Sequence, residues 1–438
     1  MADLMRRSQI SQVERGARAS AWQFPLFVAL GGQRDATVGR GRLSKPFLRI
    51  AMAAVTISVA AMLIAFAVAR GFQREVGART LLFAGDIQLV NLDANASYEQ
   101  RPIARAQSFL PALRKMKGIR TVEPFAVKAG IIKTKEQMQG CVLKGVEIPD
   151  ALNDFLPFLV RGRLPQQPED EEDECDEVMI SAYMANLLQL DTGKALVMYF
   201  VQQPPRVRRF EIVGVYDTQM REFDAMYVLG DLRHVQALNE WDESQIGGYE
   251  VRVNGLQDLA TLFPEVEGLC AYGLQQDGTL LRVVDAREKY ASIFDWLALL
   301  DTNVIVLLTL MLAVAGVNMV TALLILILER TQEIGLLKAL GATGRQLRTL
   351  FVIRATRILL WGLCAGNAVG LGILLMQRQF KFVRLDPSEY YIDHVPVEMG
   401  LGAWAAINGI TLAVTLVVLL VPSGLVARVS PGESMRFA

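Results

Sequence analysis

The chain has 438 residues, of which 52% are hydrophobic and 21% charged, and its formal net charge at pH 7 is zero. This composition is too apolar for an ordinary soluble protein, and the balanced charge argues against nucleic acid as a partner. Two histidines and four scattered cysteines without a CxxC pair give little material for metal or acid–base chemistry, so no metal site is predicted.

Four apolar stretches are long enough to cross a bilayer, which takes about 20 residues of helix. They predict transmembrane helices at 50–70, 296–328 (including the end of an outer stalk), 351–376 and 399–421. The first stretch is uncharged from Ile50 to Ala69. Its length and the long segment before it argue against a cleaved signal peptide.

The basic residues predict the orientation of these helices. Residues 1–49 carry nine Lys/Arg against three acids, and the loop 329–350 is also basic. By the positive-inside rule, residues 1–49, the loop 329–350 and the tail 422–438 are cytoplasmic. Residues 71–295 and the loop 377–398 then lie on the other face of the membrane.

The segment 71–295 has the alternating strand and helix patterns of a mixed α and β domain. Strands are predicted at 86–91, 121–134, 249–254 and 280–285, and a helix at 103–118. A subdomain at about 147–247, with a helix at 181–190 and an acidic loop at 169–177, is predicted as an insertion between two halves. The fold class is therefore an α-helical membrane protein with four transmembrane helices and a large α+β extracytoplasmic domain between the first and second.

Apolar residues continue at helical spacing beyond two of the predicted membrane helices. Phe72, Val76 and Phe83 follow the first, and Tyr290 to Leu300 precede the second with an i, i+3, i+4, i+7 pattern. The second helix is accordingly predicted to run unbroken from about Ala286 to Leu328, over roughly 65 Å at 1.5 Å per residue.

The stretch "ERTQEIGLLKALGAT" (329–343) connects two of the predicted membrane helices. A helical wheel places Leu336, Leu340 and Leu347 on one stripe, with Ile334 and Leu337 beside it. The residues predicted on the opposite face are Gln332, Gly335, Lys338 and Ala339. Such a helix either lies on lipid headgroups or docks in a groove of a cytoplasmic partner.

The same stretch resembles the cytoplasmic coupling helix of ABC permeases in the FtsX/MacB/LolC–LolE superfamily. Three further segments are similar to the lipoprotein-releasing LolC/LolE branch: "GFQREV", "LDPSEYYIDHVPVE" and the tail "SPGESMRFA". The chain departs from that branch in its Arg-rich N-terminal lead and in a short outer hairpin, "VQQPPR". The departure leaves a LolC-like or a LolE-like role open.

The resemblance implies a permease subunit that extracts lipoproteins from the outer leaflet of the bacterial inner membrane. It would hand them to a periplasmic LolA-like chaperone and pair with a second copy or a paralogue. The chain has no G-x-x-x-x-G-K-[ST] sequence, so ATP and Mg²⁺ would bind a separate LolD-like ATPase, and this chain itself is expected to be neither an enzyme nor a cofactor binder. The alternatives are an FtsX-like permease that regulates a periplasmic hydrolase and a MacB-like efflux driver.

Several candidate site residues follow from the resemblance and from helix patterning. The ATPase would contact Glu329, Arg330, Glu333, Ile334, Leu336, Leu337, Lys338, Leu340, Gly341 and Ala342. The lipoprotein cavity would include Met62, Phe66, Leu297 and Leu300, unless these merely face lipid or pack helices. The carrier would contact Gln203, Pro204, Pro205 and Arg206, unless these form only a rigid turn. Helix packing is predicted at Gly362, Gly366, Gly370 and Asn318, with Thr321 also bonding between helices and Arg354 and Arg357 reaching the cytoplasmic headgroups.

Overall fold

The computed structural model describes residues 44–94, 98–167, 175–271 and 278–424. Most of the N-terminal lead, most of the acidic loop 169–177 and the tail "SPGESMRFA" lie outside these ranges. The chain divides into two compact units. Among the described residues, the helical unit is drawn from 44–72, 299–383 and 395–424, and the sheet unit from those of 73–298 and from 384–394.

Short strands and helices follow the first long helix, and three more long helices come near the end of the chain. The first half contains α1 (Ser44–Leu82), β1 (Ile87–Asn91), β2 (Ile103–Ala104), α2 (Leu110–Lys115), β3 (Ile119–Lys133), β4 (Met138–Val146), a 3₁₀ helix (Asp150–Phe158), β5 (Leu159–Gly162), β6 (Glu177–Ser181), α3 (Ala182–Leu188), β7 (Ala195–Phe200) and β8 (Arg206–Tyr216). The second half contains α4 (Arg221–Asp224), β9 (Tyr227–Asp231), α5 (Leu232–Asn239), β10 (Gln245–Ile246), β11 (Gly248–Val253), α6 (Leu256–Cys270), β12 (Leu281–Asp285), α7 (Ala286–Lys289), α8 (Ala291–Glu329), α9 (Thr331–Ala339), α10 (Gly344–Phe380), α11 (Pro387–Tyr390) and α12 (Leu401–Ser423).

Four helices in the described part of the chain are long and apolar enough to cross a membrane. Their bounds are Arg49–Leu82, Ala291–Glu329, Gly344–Phe380 and Leu401–Ser423. The unbroken helix predicted from Ala286 is corrected, because Tyr290 leaves the helical conformation (φ −112°, ψ 41°) between α7 and α8. The second long helix therefore has 39 residues, or about 58 Å.

The sheet unit is built on one mixed sheet of ten strands. The order is β12-β1-β11-β3-β4-β9-β6-β8-β5, and β7 pairs with both β3 and β8. The predicted insertion at 147–247 does not form a separate layer. Its strand β9 pairs in parallel with β4, from Tyr227 beside Val142 to Asp231 beside Val146, so the sheet continues across the predicted boundary.

The helix predicted at 103–118 is much shorter than expected. Ile103 lies in β2, opposite Ile246 of β10. The helix α2 begins only at Leu110 and has Pro111 in its first turn, where the missing N–H costs no hydrogen bond. Gly118, with φ of +102°, takes a left-handed conformation before β3.

Alternation along the strands separates the two faces of this sheet. Ile87, Leu89, Leu143 and Val251 are fully buried in an apolar core that also includes residues of α2, α5 and α6. Residues between them in sequence, such as Gln88, necessarily point to the opposite face. That second face carries polar side chains.

Candidate functional site

The predicted coupling segment forms a separate short helix, α9. It ends where Gly341 takes a left-handed φ of +95°, which suits glycine. Thr343 then caps α10: its backbone N–H donates to Gln346 Oε1 at 2.9 Å, and its hydroxyl accepts from the Gln346 N–H at 3.4 Å. The break and the new cap allow α9 to run in a direction of its own.

The predicted apolar stripe of α9 is divided between two faces. Ile334 is fully buried in the core of the helical unit and Leu337 packs against that core, whereas Leu336 is 62% and Leu340 76% exposed. Gly335, predicted on the opposite face to the leucines, is buried. The wheel was wrong because it took the apolar residues as one face. Half of them hold α9 to its own chain, and only Leu336 and Leu340 are presented outward.

Charged contacts fix α9 against the neighbouring helix. Arg330 pairs with Glu333, and Arg354 of α10 lies 4.0 Å from the other carboxylate oxygen of Glu333. Arg354 therefore also faces α9, and its contact with headgroups stays a prediction. These contacts, with buried Ile334, keep the exposed leucines on a fixed surface.

The four predicted lipoprotein-cavity residues belong to different units. Met62 is buried in the core of the helical unit, with Phe66 packed against it, and Leu300 is a half-buried residue of that unit. Leu297 belongs to the sheet unit, where it is buried and its backbone oxygen accepts a hydrogen bond from Gln73 Nε2 at 3.1 Å. Met62 therefore has a packing role within its own unit.

The predicted carrier-contact hairpin joins β7 to β8. Gln203, Pro204 and Pro205 are exposed at its tip. Arg206 is not available as predicted, because its Nη1 donates to the backbone oxygen of Ala237 at 2.7 Å and its other terminal nitrogen pairs with Glu240. The arginine anchors the hairpin to the end of α5.

The outward surface beside that tip is apolar. Tyr199 of β7 and Val207 of β8 are directly opposite each other, and both are exposed. Val201, in the connection, is also exposed. This surface, the hairpin patch (Tyr199, Val201 and Val207), was not predicted. The alternation of these residues with buried Phe200 and with Phe210 was the available signal.

The glycines of α10 lie against α1. A Cβ on Gly362 would lie 2.8 Å from the side chain of Val55, and one on Gly366 would lie 2.8 Å from that of Val59. A Cβ on Gly370 would lie 3.2 Å from the Cα atom of Ala60. The third long helix thus approaches the first along a line of missing side chains.

The bond between helices that was predicted at Asn318 and Thr321 is found elsewhere. Thr321 donates to Val317 in its own helix. In α10, Asn367 Nδ2 donates to Asn408 Oδ1 of α12 at 2.6 Å, and Asn367 Oδ1 accepts from Trp404 Nε1 at 2.6 Å. The sequence contained this signal, since Asn367 and Asn408 are amides inside apolar runs.

Comparisons with known proteins agree with this architecture. Residues 49–269 match the model of the MacB-like periplasmic core domain, and residues 305–431 match that of the FtsX-like permease C-terminal domain. The chain belongs to the FtsX/MacB-like family of ABC transporter permeases.

Full-length relatives carry lipoprotein-release names. The LolC protein of Neisseria meningitidis is 22% identical over 89% of this chain and 93% of its own length. The LolE protein of Haemophilus influenzae is 18% identical over 90% of this chain and 96% of its own. These matches confirm the resemblance predicted from the sequence. The crystal structure of the periplasmic region of MacB from Actinobacillus actinomycetemcomitans is 16% identical, covers 49% of this chain and 95% of that one, and has a TM-score of 0.32.

Proposed function

We propose that this chain is the permease subunit of an ATP-driven complex that extracts lipoproteins from the outer leaflet of the bacterial inner membrane and passes them to a periplasmic carrier. The observation that carries the proposal is the similarity to LolC, "Lipoprotein-releasing system transmembrane protein", over 89% of this chain and 93% of the relative. The exposed Leu336 and Leu340 support the same assignment, because a docking helix must offer apolar surface to its partner.

In this proposal a separate LolD-like ATPase binds the outward face of α9. Leu336 and Leu340 would enter its groove, and the movement would pass into α10 through Glu333 and Arg354. A second permease, either another copy or a paralogue, would complete the complex. The lipid anchor would bind near Phe66 and Leu300, which are half-buried apolar residues, and photo-crosslinkers at these two positions should capture a lipoprotein before ATP is added.

The proposal is tested with the variant Leu336→Asp/Leu340→Asp in the full complex. Two carboxylates in an apolar groove would be desolvated without partners, so the ATPase should dissociate during purification and lipoprotein release should stop. The matched variant Leu336→Met/Leu340→Met keeps the apolar surface and should retain both activities. If the Asp variant still copurifies with the ATPase and releases lipoproteins normally, α9 lies on lipid and does not couple.

The carrier is proposed to bind the hairpin patch and the exposed Pro204–Pro205 tip. Val201→Asp/Val207→Asp introduces charge there and leaves the Arg206 anchor in place. Capture of a LolA-like carrier by the full complex should be lost, since the apolar contact would be replaced by unpaired carboxylates. A matched control is Leu156→Asp/Val160→Asp, two exposed apolar residues at the β5 edge of the same sheet. Normal capture by the patch variant would assign carrier binding to the partner permease.

A further inference from the structure

A cavity of about 460 Å³ opens on the second face of the sheet. Its lining residues alternate with core residues along six strands: Gln88 lies between Ile87 and Leu89, and Glu250 between Tyr249 and Val251. Gln88 is directly opposite both Glu250 and Val284 in the neighbouring strands, so the three form a row across the floor. The volume is within the range of small-molecule sites, about 300–1,000 Å³.

The buried charges of this cavity satisfy one another. Lys144 Nζ donates to both carboxylate oxygens of Glu250 and to the backbone oxygen of Phe83, each at 2.8 Å. Gln88 Nε2 donates to the same carboxylate at 3.1 Å and its Oε1 accepts from Lys289 Nζ at 2.8 Å. The chain of hydrogen bonds thus leads from the buried ion pair outward to Lys289.

The rim of the cavity carries cations without carboxylate partners. Among the described residues, neither Lys289 nor Arg282 is in an ion pair, although both line the cavity. An ammonium has three donors, and Lys289 uses one of them on Gln88. The acids of the lining are Glu250, already paired with Lys144, Glu99, 3.4 Å from Lys128, and exposed Glu288.

Aromatic rings form much of the remaining wall. Phe83 stacks on Tyr227 with ring centroids 5.4 Å apart, and Phe125, Tyr98 and Tyr290 also line the space. We propose that the cavity binds a small amphiphilic anion, whose carboxylate pairs with Lys289 and Arg282 and whose apolar body lies against the aromatic wall. Charge-assisted bonds at the rim and the aromatic wall together select an acid with a hydrophobic body.

Such a ligand would connect two helix ends. Phe83 directly follows α1, and Tyr290 directly precedes α8. Both rings line the cavity, so a bound anion would contact the end of α1 and the beginning of α8. Occupancy would therefore stabilise one arrangement of these two ends within the sheet unit.

The probe is naphthalene-2-carboxylate, added to the full-length chain in lipid nanodiscs and followed by saturation-transfer NMR. The wild-type chain should bind it, and naphthalen-2-ylmethylammonium, a cation of similar shape, should bind far more weakly. The variant Lys289→Gln/Arg282→Gln should lower the affinity for the carboxylate by about tenfold or more, because both rim charges are removed. Val284→Trp, which fills the floor, should abolish binding.

Two controls separate the cavity from lipid and from misfolding. Arg114→Gln/Lys115→Gln removes two exposed charges from α2, on the other face of the sheet, and should leave the affinity unchanged. Unfolding midpoints of all variants identify any that fail to fold. The proposal is overturned if the wild-type chain gives no protein-dependent signal, if folded rim and floor variants bind as the wild type does, or if the cation binds equally well.

Discussion

The sheet unit and the helical unit hold distant parts of the chain together by opposite means. In the sheet unit, buried Arg79 donates to the backbone oxygen of Thr218 at 2.9 Å, to Gln219 Oε1 at 2.8 Å and to the backbone oxygen of Tyr391 at 3.0 Å. In the helical unit, α10 approaches α1 closely at glycines, which have no side chain, as at Gly366.

The difference follows from the surroundings of each unit. A periplasmic domain gains stability by removing apolar surface from water, and long polar side chains can then satisfy the backbone of loops such as 217–219. Between membrane helices there is little such gain, because lipid is as apolar as the side chains, and close packing dominates. The two units should therefore respond differently to loss of charge and to added volume.

The largest loss is expected when the buried ion pair of the sheet unit is broken. Lys144→Met leaves the Glu250 carboxylate buried without its cation, which costs about 3–5 kcal/mol. Lys144→Met/Glu250→Leu removes both charges and should recover most of that loss. Hydrogen exchange of β4 and β11, measured by mass spectrometry, reports the opening free energy. Equal protection in the single and double variants would show that the unpaired Glu250 carboxylate carries no cost.

A buried carboxyl should make the sheet unit depend on pH. Burial raises the pKa of Asp224 from 3.8 to about 7, although Thr218 Oγ1 donates to it at 2.7 Å. The folded state therefore binds the proton more tightly than the unfolded state does. The resulting stabilisation is complete below pH 3.8 and is lost as the pH rises through about 7.

From a shift of this size, the loss would reach about 4 kcal/mol. The amide side chain of the variant Asp224→Asn has no proton to release, so this variant should lose the part of the pH dependence of stability that Asp224 causes. The measurement is the difference between the unfolding midpoints of the wild-type and variant chains at pH 5, 6, 7 and 8. A difference that does not change with pH would exclude the titration of Asp224 in this window.

Added volume should be most damaging in the helical unit. Gly366→Leu places a Cβ 2.8 Å from Val59 and 2.9 Å from the backbone oxygen of Thr56, so α1 and α10 must separate, at about 2–3 kcal/mol. Gly372→Leu is the matched control, because nothing lies within 4 Å of a Cβ there. The thermal midpoints of the two variants in detergent should differ clearly. Similar midpoints would mean that the glycine line is not a packing interface.

The sequence predicted the helices and strands more reliably than it predicted which side of each one is buried. Long apolar runs identify membrane helices by length alone, and alternation identified strands such as β1 and β11. The wheel for α9 failed because it put Ile334 beside Leu336, although residues i and i+2 of a helix do not share a face, and in the structure Ile334 is buried while Leu336 is exposed. Likewise, the role of Arg206 depends on the carbonyl oxygen of Ala237 in α5, 31 residues away in sequence, and no local pattern reports that contact.

The smallest effect is expected at the polar contact between α10 and α12, which is the exception to apolar packing in the helical unit. Asn367→Leu removes the bonds to Asn408 and to Trp404. Hydrogen bonds between membrane helices are worth about 0.6–2 kcal/mol, because the separated helices also find partners.

Asn318→Leu is the matched control, since no side-chain hydrogen bond of Asn318 is found in the described part of the chain. Unfolding by SDS in mixed micelles should show a loss of about 1 kcal/mol for the first variant, by the same principle, and a smaller change for the second. A double-mutant cycle with Asn408→Leu then isolates the pair: a coupling energy near zero would mean that the amides are solvated in both states and that packing alone holds these helices together.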